Sequence, residues 1–202
     1  MPIKQSLWLL ALGLFAISLP LRAQTPSRRA EIGVHYSSIN LNVFDSTEGG
    51  GGIRFSYYLT NYLAVDAEGN IFDPRIGDYP TDDFLAAQGF VGVKAGIRRK
   101  RFGTFAKVRP GVANFPVLRV NRRFCSSLLP CETAGGSGNR FALDTGAIFE
   151  AYPTSRVVVR FDVGDTMIRY DGDSFFRSPG IVRISDGMSH NLQWGIGVGF
   201  RF

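Results

Sequence analysis

Apolar and polar residues alternate with a period of two along most of the chain after residue 30. The clearest run covers residues 190–202, where bulky apolar residues occupy one parity and small or polar residues the other. The apolar set is Leu192, Trp194, Ile196, Val198, Phe200 and Phe202. Because successive side chains of a β-strand point to opposite faces, this run predicts a strand with one apolar and one polar face.

Seven earlier segments show the same alternation in stretches of about ten residues, as is typical of membrane β-strands. The pattern therefore predicts an all-β chain, an eight-stranded antiparallel up-and-down transmembrane β-barrel. The strands are predicted at residues 31–43, 53–59, 63–71, 91–97, 106–112, 141–149, 157–163 and 190–202.

The predicted connections alternate in length, which indicates how the barrel is oriented. Three short turns lie at residues 60–61, around Lys100 and at 153–155, and four long connections lie at 45–52, 73–86, 114–139 and 165–188. In membrane barrels the short turns are periplasmic and the long loops face outward. Both termini are therefore expected on the periplasmic side.

The first strand contains an irregularity. Its apolar residues begin on one parity and continue on the other, which predicts a β-bulge near Ser37 and Ser38. The first set is Ile32, Val34 and Tyr36, and the second is Ile39, Leu41 and Val43.

Alternation alone leaves open which face points inward, because a soluble barrel alternates too, with its apolar face inside. Here the polar face combines glycine with single charges of both signs, which suits a narrow lumen, whereas the apolar face is bulky and unbroken, which suits lipid. A closed sheet pairs its backbone groups internally, as lipid requires. We therefore expect the apolar face outside and keep a soluble, ligand-binding barrel as the alternative.

The N-terminus predicts export. Lys4, the apolar run 7–19 and a small residue at Ala23 follow the order of a secretory signal peptide, so we predict a leader at 1–23 and one barrel domain at 24–202 in the outer membrane. An N-terminal membrane anchor is the alternative. The net charge of +6 favours an acidic membrane surface over nucleic acid as a partner. Cys125 and Cys131 lack a zinc-site pattern and are predicted to form a loop disulfide, and no cofactor or metal is expected.

From about residue 30 to 202 the chain resembles the small OmpA/OmpX-type outer-membrane barrels of Gram-negative bacteria. The resemblance rests on the architecture and on the last strand, whose Trp194, Phe200 and Phe202 look like the terminal signal read by the barrel-assembly machinery. It implies outer-membrane lipids and lipopolysaccharide as surroundings, and an extracellular ligand or surface as a further partner of the loops.

The charged residues of the polar face are the candidate site. An unpaired buried charge is costly, so we predict a lumen ion-pair network. Arg54 is expected to pair with Asp66 or Glu68, and Arg160 with Asp144 or Glu150, while Lys94 is expected to face Lys107 or Arg109. The network comprises Arg54, Asp66, Glu68, Lys94, Lys107, Arg109, Asp144, Glu150, Arg160 and Asp162.

Three hypotheses for function remain. The first is a structural or surface-interaction barrel whose ion pairs fill the lumen, and the second is a low-conductance channel or transport component. The third is a lipid-modifying enzyme, because His35 and Ser37 share a strand face with Glu31 and a nucleophile, a base and an orienting acid can be imagined there. The outer-membrane lipid-A deacylases use these residue types, but no other motif supports catalysis, so the chain is not expected to be an enzyme.

Overall fold

The computed structural model describes residues 28–43, 45–73, 86–120, 133–170, 174–177, 180–183 and 186–202. The predicted leader at 1–23 and both cysteines, Cys125 and Cys131, lie outside these residues. Within the described part, no helix is long and apolar enough to cross a membrane.

The described residues form antiparallel strands, eight of them long and two of them short. The long strands are β1 (Ala30–Leu41), β2 (Ser46–Tyr58), β3 (Leu63–Phe72), β4 (Ala86–Arg98), β5 (Phe102–Val120), β6 (Thr133–Ala151), β7 (Val157–Tyr170) and β10 (Gly187–Arg201). The short strands are β8 (Ser174–Arg177) and β9 (Gly180–Arg183).

The eight long strands close into a barrel. Each pairs with its sequence neighbours, β7 pairs with β10, and β10 returns to β1. The short β8–β9 hairpin joins β5 through the pair Arg119 and Phe175. The predicted closed, eight-stranded antiparallel barrel is confirmed.

The two ends of the barrel differ. The connections 59–62, 99–101 and 152–156 lie at one end together with Arg28 and Phe202, and we call this the terminal end. The opposite end holds the last residues of β1, β3, β5 and β7 and the first residues of β2, β4, β6 and β10, and we call it the loop end. Three predicted loops are wider than the structure has them. The connection predicted at 45–52 lies at 42–45, and strands β5 and β6 continue far into 114–139. Within 165–188, β7 continues to Tyr170, and β8 and β9 follow it.

The first of these errors arose from the run Gly49–Gly52, whose residues lie inside β2 and make room for larger neighbours. His35 faces Gly52 on one side and Gly197 on the other. A Cβ atom on Gly52 would lie 2.7 Å from His35 Cε1. The imidazole therefore occupies the space that a side chain on β2 would need.

The two faces of the sheet differ in polarity as the alternation predicts. On β10, Leu192 is 60% exposed on the outer face, whereas its neighbour Asn191 is fully buried in the lumen. Val34 and Ile53 are likewise 61% and 67% exposed on the outside. The apolar face is outside and the polar face is inside.

The predicted bulge near Ser37 and Ser38 is wrong. The pairing of β1 with β2 runs without interruption from Ala30 to Leu41, so Ile39 and Leu41 face the lumen like Glu31. The parity of the apolar residues changes because the lumen itself becomes apolar toward the loop end. We call this buried cluster the apolar cap; it comprises Ile39, Leu41, Phe72, Ala86, Phe90, Ala113, Phe115, Ala142, Ile168 and Tyr170.

Candidate functional site

The middle of the lumen is filled by charged side chains. All ten residues of the predicted network point inward; nine are buried, and Asp162 is partly exposed. They come from β2 to β7, so every one of these strands contributes at least one charge.

Asp66 lies at the centre of these contacts. Arg160 donates from Nη1 to Asp66 Oδ1 at 2.9 Å and from Nη2 to Oδ2 at 3.1 Å. Arg109 Nη1 donates to Asp66 Oδ2 at 2.7 Å, and the Ser56 hydroxyl donates to Oδ1 at 2.5 Å. Both carboxylate oxygens are thus satisfied by donors from three other strands, in the bidentate geometry that arginine favours.

Arg109 extends the network toward β6. It donates to Glu68 Oε2 and to Asp144 Oδ2, each at 2.7 Å. Lys107 then bridges Asp144 and Asp162, with Nζ 2.8 Å and 2.5 Å from their oxygens. Cations and carboxylates therefore alternate across the lumen, which compensates the cost of burying them.

A second group of contacts surrounds Glu150 near the terminal end. Lys94 Nζ lies 2.5 Å from Glu150 Oε1, while the hydroxyls of Tyr58 and Tyr152 donate to Oε2 at 2.8 Å and 2.6 Å. Burial and the nearby Glu150 charge raise the pKa of Tyr152, in the 152–156 turn, well above its usual value. Tyr152 therefore stays protonated and remains a donor.

Tyr58 and Tyr152 lie outside the predicted network although both contact Glu150. Tyr58 has the parity of Arg54 and Ser56, so the alternation already placed it in the lumen. Tyr152 lies in a turn, where alternation gives no direction. Gln88 and Gln193 also lie outside the predicted network; they join across the lumen at 2.9 Å, at the depth of the apolar cap, since Gln88 lies between its members Ala86 and Phe90.

The partners of individual charges differ from the expected ones. Arg54 lies 3.8 Å from Glu31 and forms no ion pair with Asp66 or Glu68 among the described residues. Arg160 binds Asp66 and Asp162 in place of Asp144 or Glu150. Lys94 contacts Glu150 and Asp66, not the neighbouring cations. The expectation considered adjacent strands only, whereas in so narrow a barrel long side chains reach across the lumen.

The three residues of the catalytic hypothesis, Glu31, His35 and Ser37, each contact a different partner. His35 Nε2 lies 2.5 Å from Asn70 Oδ1, the Ser37 hydroxyl accepts from Gln193 at 3.0 Å, and Glu31 lies beside Arg54. Nothing among the described contacts links His35 to Ser37. The small cavity beside them measures about 10 Å³, which is space for roughly one water. Within the described ranges, no cluster of His, Cys, Asp and Glu is arranged to hold a metal ion.

These features define the class: a closed eight-stranded antiparallel β-barrel that is apolar outside and charged inside. Neisserial surface protein A has a similar solved structure, with a TM-score of 0.53, 11% identity, and coverage of 86% of this chain and 96% of that one. This likeness confirms, for the fold, the resemblance to small outer-membrane barrels.

Two Pseudomonas aeruginosa structures are also similar. The N-terminal β-barrel domain of OprF has a TM-score of 0.49 at 12% identity, covering 87% of this chain and 100% of that domain. Outer membrane protein H, solved in micelles, has a TM-score of 0.48 at 12% identity, covering 86% and 99%. The sequence matches no protein-family model and no curated protein.

Proposed function

We propose that this chain is an integral outer-membrane barrel with a closed, ion-paired lumen, which serves as a scaffold that presents its loop end at the cell surface. The observation that carries the proposal is the polarity of the sheet. Large apolar side chains are exposed around the outside, while charged residues are fully buried within. A soluble barrel would have the reverse arrangement, whereas a lipid bilayer favours this one.

Outer-membrane lipids and lipopolysaccharide are the proposed surroundings of this apolar face. The terminal end is placed in the periplasm because it holds the short turns. The barrel-assembly machinery is a further proposed partner, recognising Trp194, Phe200 and Phe202. Trp194 and Phe200 are exposed on the outer face of β10 by 40% and 46%, and Phe202, just after the strand, is 58% exposed.

Three layers close the lumen and favour a scaffold over a channel. The apolar cap fills the loop end, the ion pairs fill the middle, and a cluster around Tyr58 and Phe105 fills the terminal end. Surface interaction would then depend on the loop-end connections, including the one that carries Cys125 and Cys131.

Membrane burial is tested by comparing arginine at two depths. Val34→Arg places a charge in the middle of β1, and Leu59→Arg places one at the terminal edge; both side chains face outward. In lipid, Val34→Arg should lower the free energy of unfolding by about 2–4 kcal/mol and Leu59→Arg by about 0–1 kcal/mol. Equal, small effects at both positions would contradict a membrane location and support a soluble barrel.

Single-channel recording in planar bilayers tests whether the lumen is closed to ions. We expect the wild-type protein to show no steady conductance, and deletion of the loop connections to remove surface binding without opening the barrel. A steady current that changes when Lys107 or Arg160 is neutralised would instead establish the channel.

The enzyme alternative has its own test. Replacement of His35 or Ser37 by alanine should leave the membrane lipid profile unchanged under the scaffold proposal. Loss of a lipid hydrolysis product in both variants would overturn it, because the two side chains have separate partners.

A further inference from the structure

The connections at the terminal end and the residues that precede β1 carry a net positive charge. None of the connections 59–62, 99–101 and 152–156 contains Asp or Glu. The segment 73–85, which connects β3 to β4 in the sequence, instead has four aspartates and one arginine. We call the terminal-end group the basic rim; it consists of Arg28, Arg29, Arg99, Lys100, Arg101 and Arg156.

The carboxylates of the described residues do not pair with the basic rim. Within the described residues, no rim side chain forms an ion pair with a carboxylate. Arg28 donates to the main-chain carbonyl of Ser155, and the other five rim residues are exposed to solvent. The inward carboxylate of Glu150, at the terminal-end part of β6, is already held by Lys94 and two tyrosines.

Two further arginines line the inside of the rim. Arg98 lies over the Tyr58 ring, with its guanidinium carbon 4.0 Å from the centroid, and Arg201 lies 4.3 Å from the Tyr152 centroid. They add positive charge at the mouth while the aromatic rings hold their side chains inside. The basic rim and these two arginines together place eight positive charges at the terminal end.

The rim also lies directly against the apolar outer face. Phe102, 60% exposed, follows Arg101, and Ile97, 53% exposed, precedes the basic turn by two residues. Lipid phosphates lie at the edge of the hydrocarbon layer, so these guanidinium and ammonium groups are at phosphate depth. A soluble acidic partner would not require the charges to border an apolar belt.

The turns that carry the rim are fixed by main-chain hydrogen bonds. Arg99 N donates to Phe102 O at 2.7 Å, and Tyr152 N donates to Arg101 O at 2.8 Å. Arg201 N donates to Arg156 O, also at 2.7 Å. Because adjacent turns are tied together, the backbone pays little further entropy when the charges engage a ligand.

We infer that the basic rim binds the phosphate headgroups of anionic phospholipids in the leaflet at the terminal end, an inference that rests on the proposed membrane location. Each Lys or Arg near an anionic surface strengthens binding by about fivefold at low salt. Three charges are therefore expected to contribute on the order of a hundredfold.

The test compares R99Q/K100Q/R101Q with a charge-matched control, R119Q/R122Q/R123Q, in the loop predicted at 114–139. Each full-length protein is extracted in detergent and titrated with phosphatidylglycerol or phosphatidylcholine, and bound lipids are counted by native mass spectrometry. We expect the wild type and the control to retain phosphatidylglycerol preferentially. The rim variant should lose at least about tenfold in apparent affinity, and high salt should have the same effect on the wild type.

Several outcomes would overturn the inference. One is that the wild type retains the two lipids equally, another is that the control loses as much affinity for phosphatidylglycerol as the rim variant, and a third is that the rim variant keeps the full affinity of the wild type. Loss of poly-glutamate binding in the rim variant with lipid retention intact would assign the rim to an acidic protein instead. Insertion into pure phosphatidylcholine bilayers is measured separately: a protein that inserts but shows no lipid preference refutes only the rim, whereas one that never inserts refutes the membrane location as well.

Discussion

Removal of Arg109 tests whether the lumen ion pairs hold the barrel together. Its guanidinium is fully buried and donates to Asp66, Glu68 and Asp144. Arg109→Met keeps much of the volume and deletes the charge. Asp66 would keep Arg160 at 2.9 Å and Asp144 would keep Lys107 at 2.8 Å. Glu68 would lose its closest cation.

The expected cost follows from what remains around Glu68. His35, at 3.6 Å, is its other ion-pair partner among the described residues, and a neutral imidazole supplies no charge. Breaking a buried pair from one side costs about 3–5 kcal/mol. Replacing both partners is much cheaper, so Arg109→Met with Glu68→Gln should recover a large part of that loss. The coupling between the two changes should exceed about 1 kcal/mol.

Urea unfolding in lipid vesicles measures these values. Trp194 is the tryptophan outside the predicted leader, and it faces outward, so its fluorescence reports on transfer out of the bilayer. The midpoint and slope give the free energy of unfolding for each member of the cycle. A cost for Arg109→Met below about 1 kcal/mol would refute the reasoning, because exposed pairs contribute that little. If the effects of Arg109→Met and Glu68→Gln on the free energy of unfolding simply added, the contact between the two side chains would equally be refuted.

Two other changes test packing in the lumen. Gly52→Ala should destabilise the barrel by about 1–3 kcal/mol, because the new Cβ atom would lie 2.4 Å from the Gly69 carbonyl oxygen. The control Gly89→Ala, whose Cβ atom would have nothing within 4 Å, should change the stability by no more than about 0.5 kcal/mol. Equal urea midpoints for the two variants would contradict this prediction. Phe115→Ala should lower the free energy of unfolding by about 3–5 kcal/mol, because it removes a buried ring from the apolar cap. The variant should still form no conducting pore in planar bilayers, and a steady current would show that the cap alone closes the lumen.

Much of the fold could be predicted from the alternation. A period of two assigns each side chain to one face, and so β10 and the hairpins were correctly oriented with Trp194 outside and Asn191 inside. The polar parity also identified which charges enter the lumen. These features depend on local sequence, because one residue of shift would turn the whole strand over.

The partner of each charge could not be predicted in this way. Arg160 and Asp66 are separated by 94 residues and lie on strands that are not adjacent, so only the closed barrel brings them together. The register and the diameter decide which long side chains meet. Neither quantity is encoded in the spacing of charges along one strand.

The mistaken bulge in β1 explains how the lumen is organised. Alternation was interpreted as if the inner face stayed polar over its whole length, whereas Ile39 and Leu41 occupy that face at the loop end. An apolar cap excludes water from the layer beneath it, and a lower local dielectric strengthens each charged hydrogen bond while raising the cost of leaving one unmade. The cap and the ion pairs therefore act together: the parity switch at Ser37 marks the depth at which apolar packing takes over most of the filling of the lumen, beside the buried charges of Glu48 and Arg140.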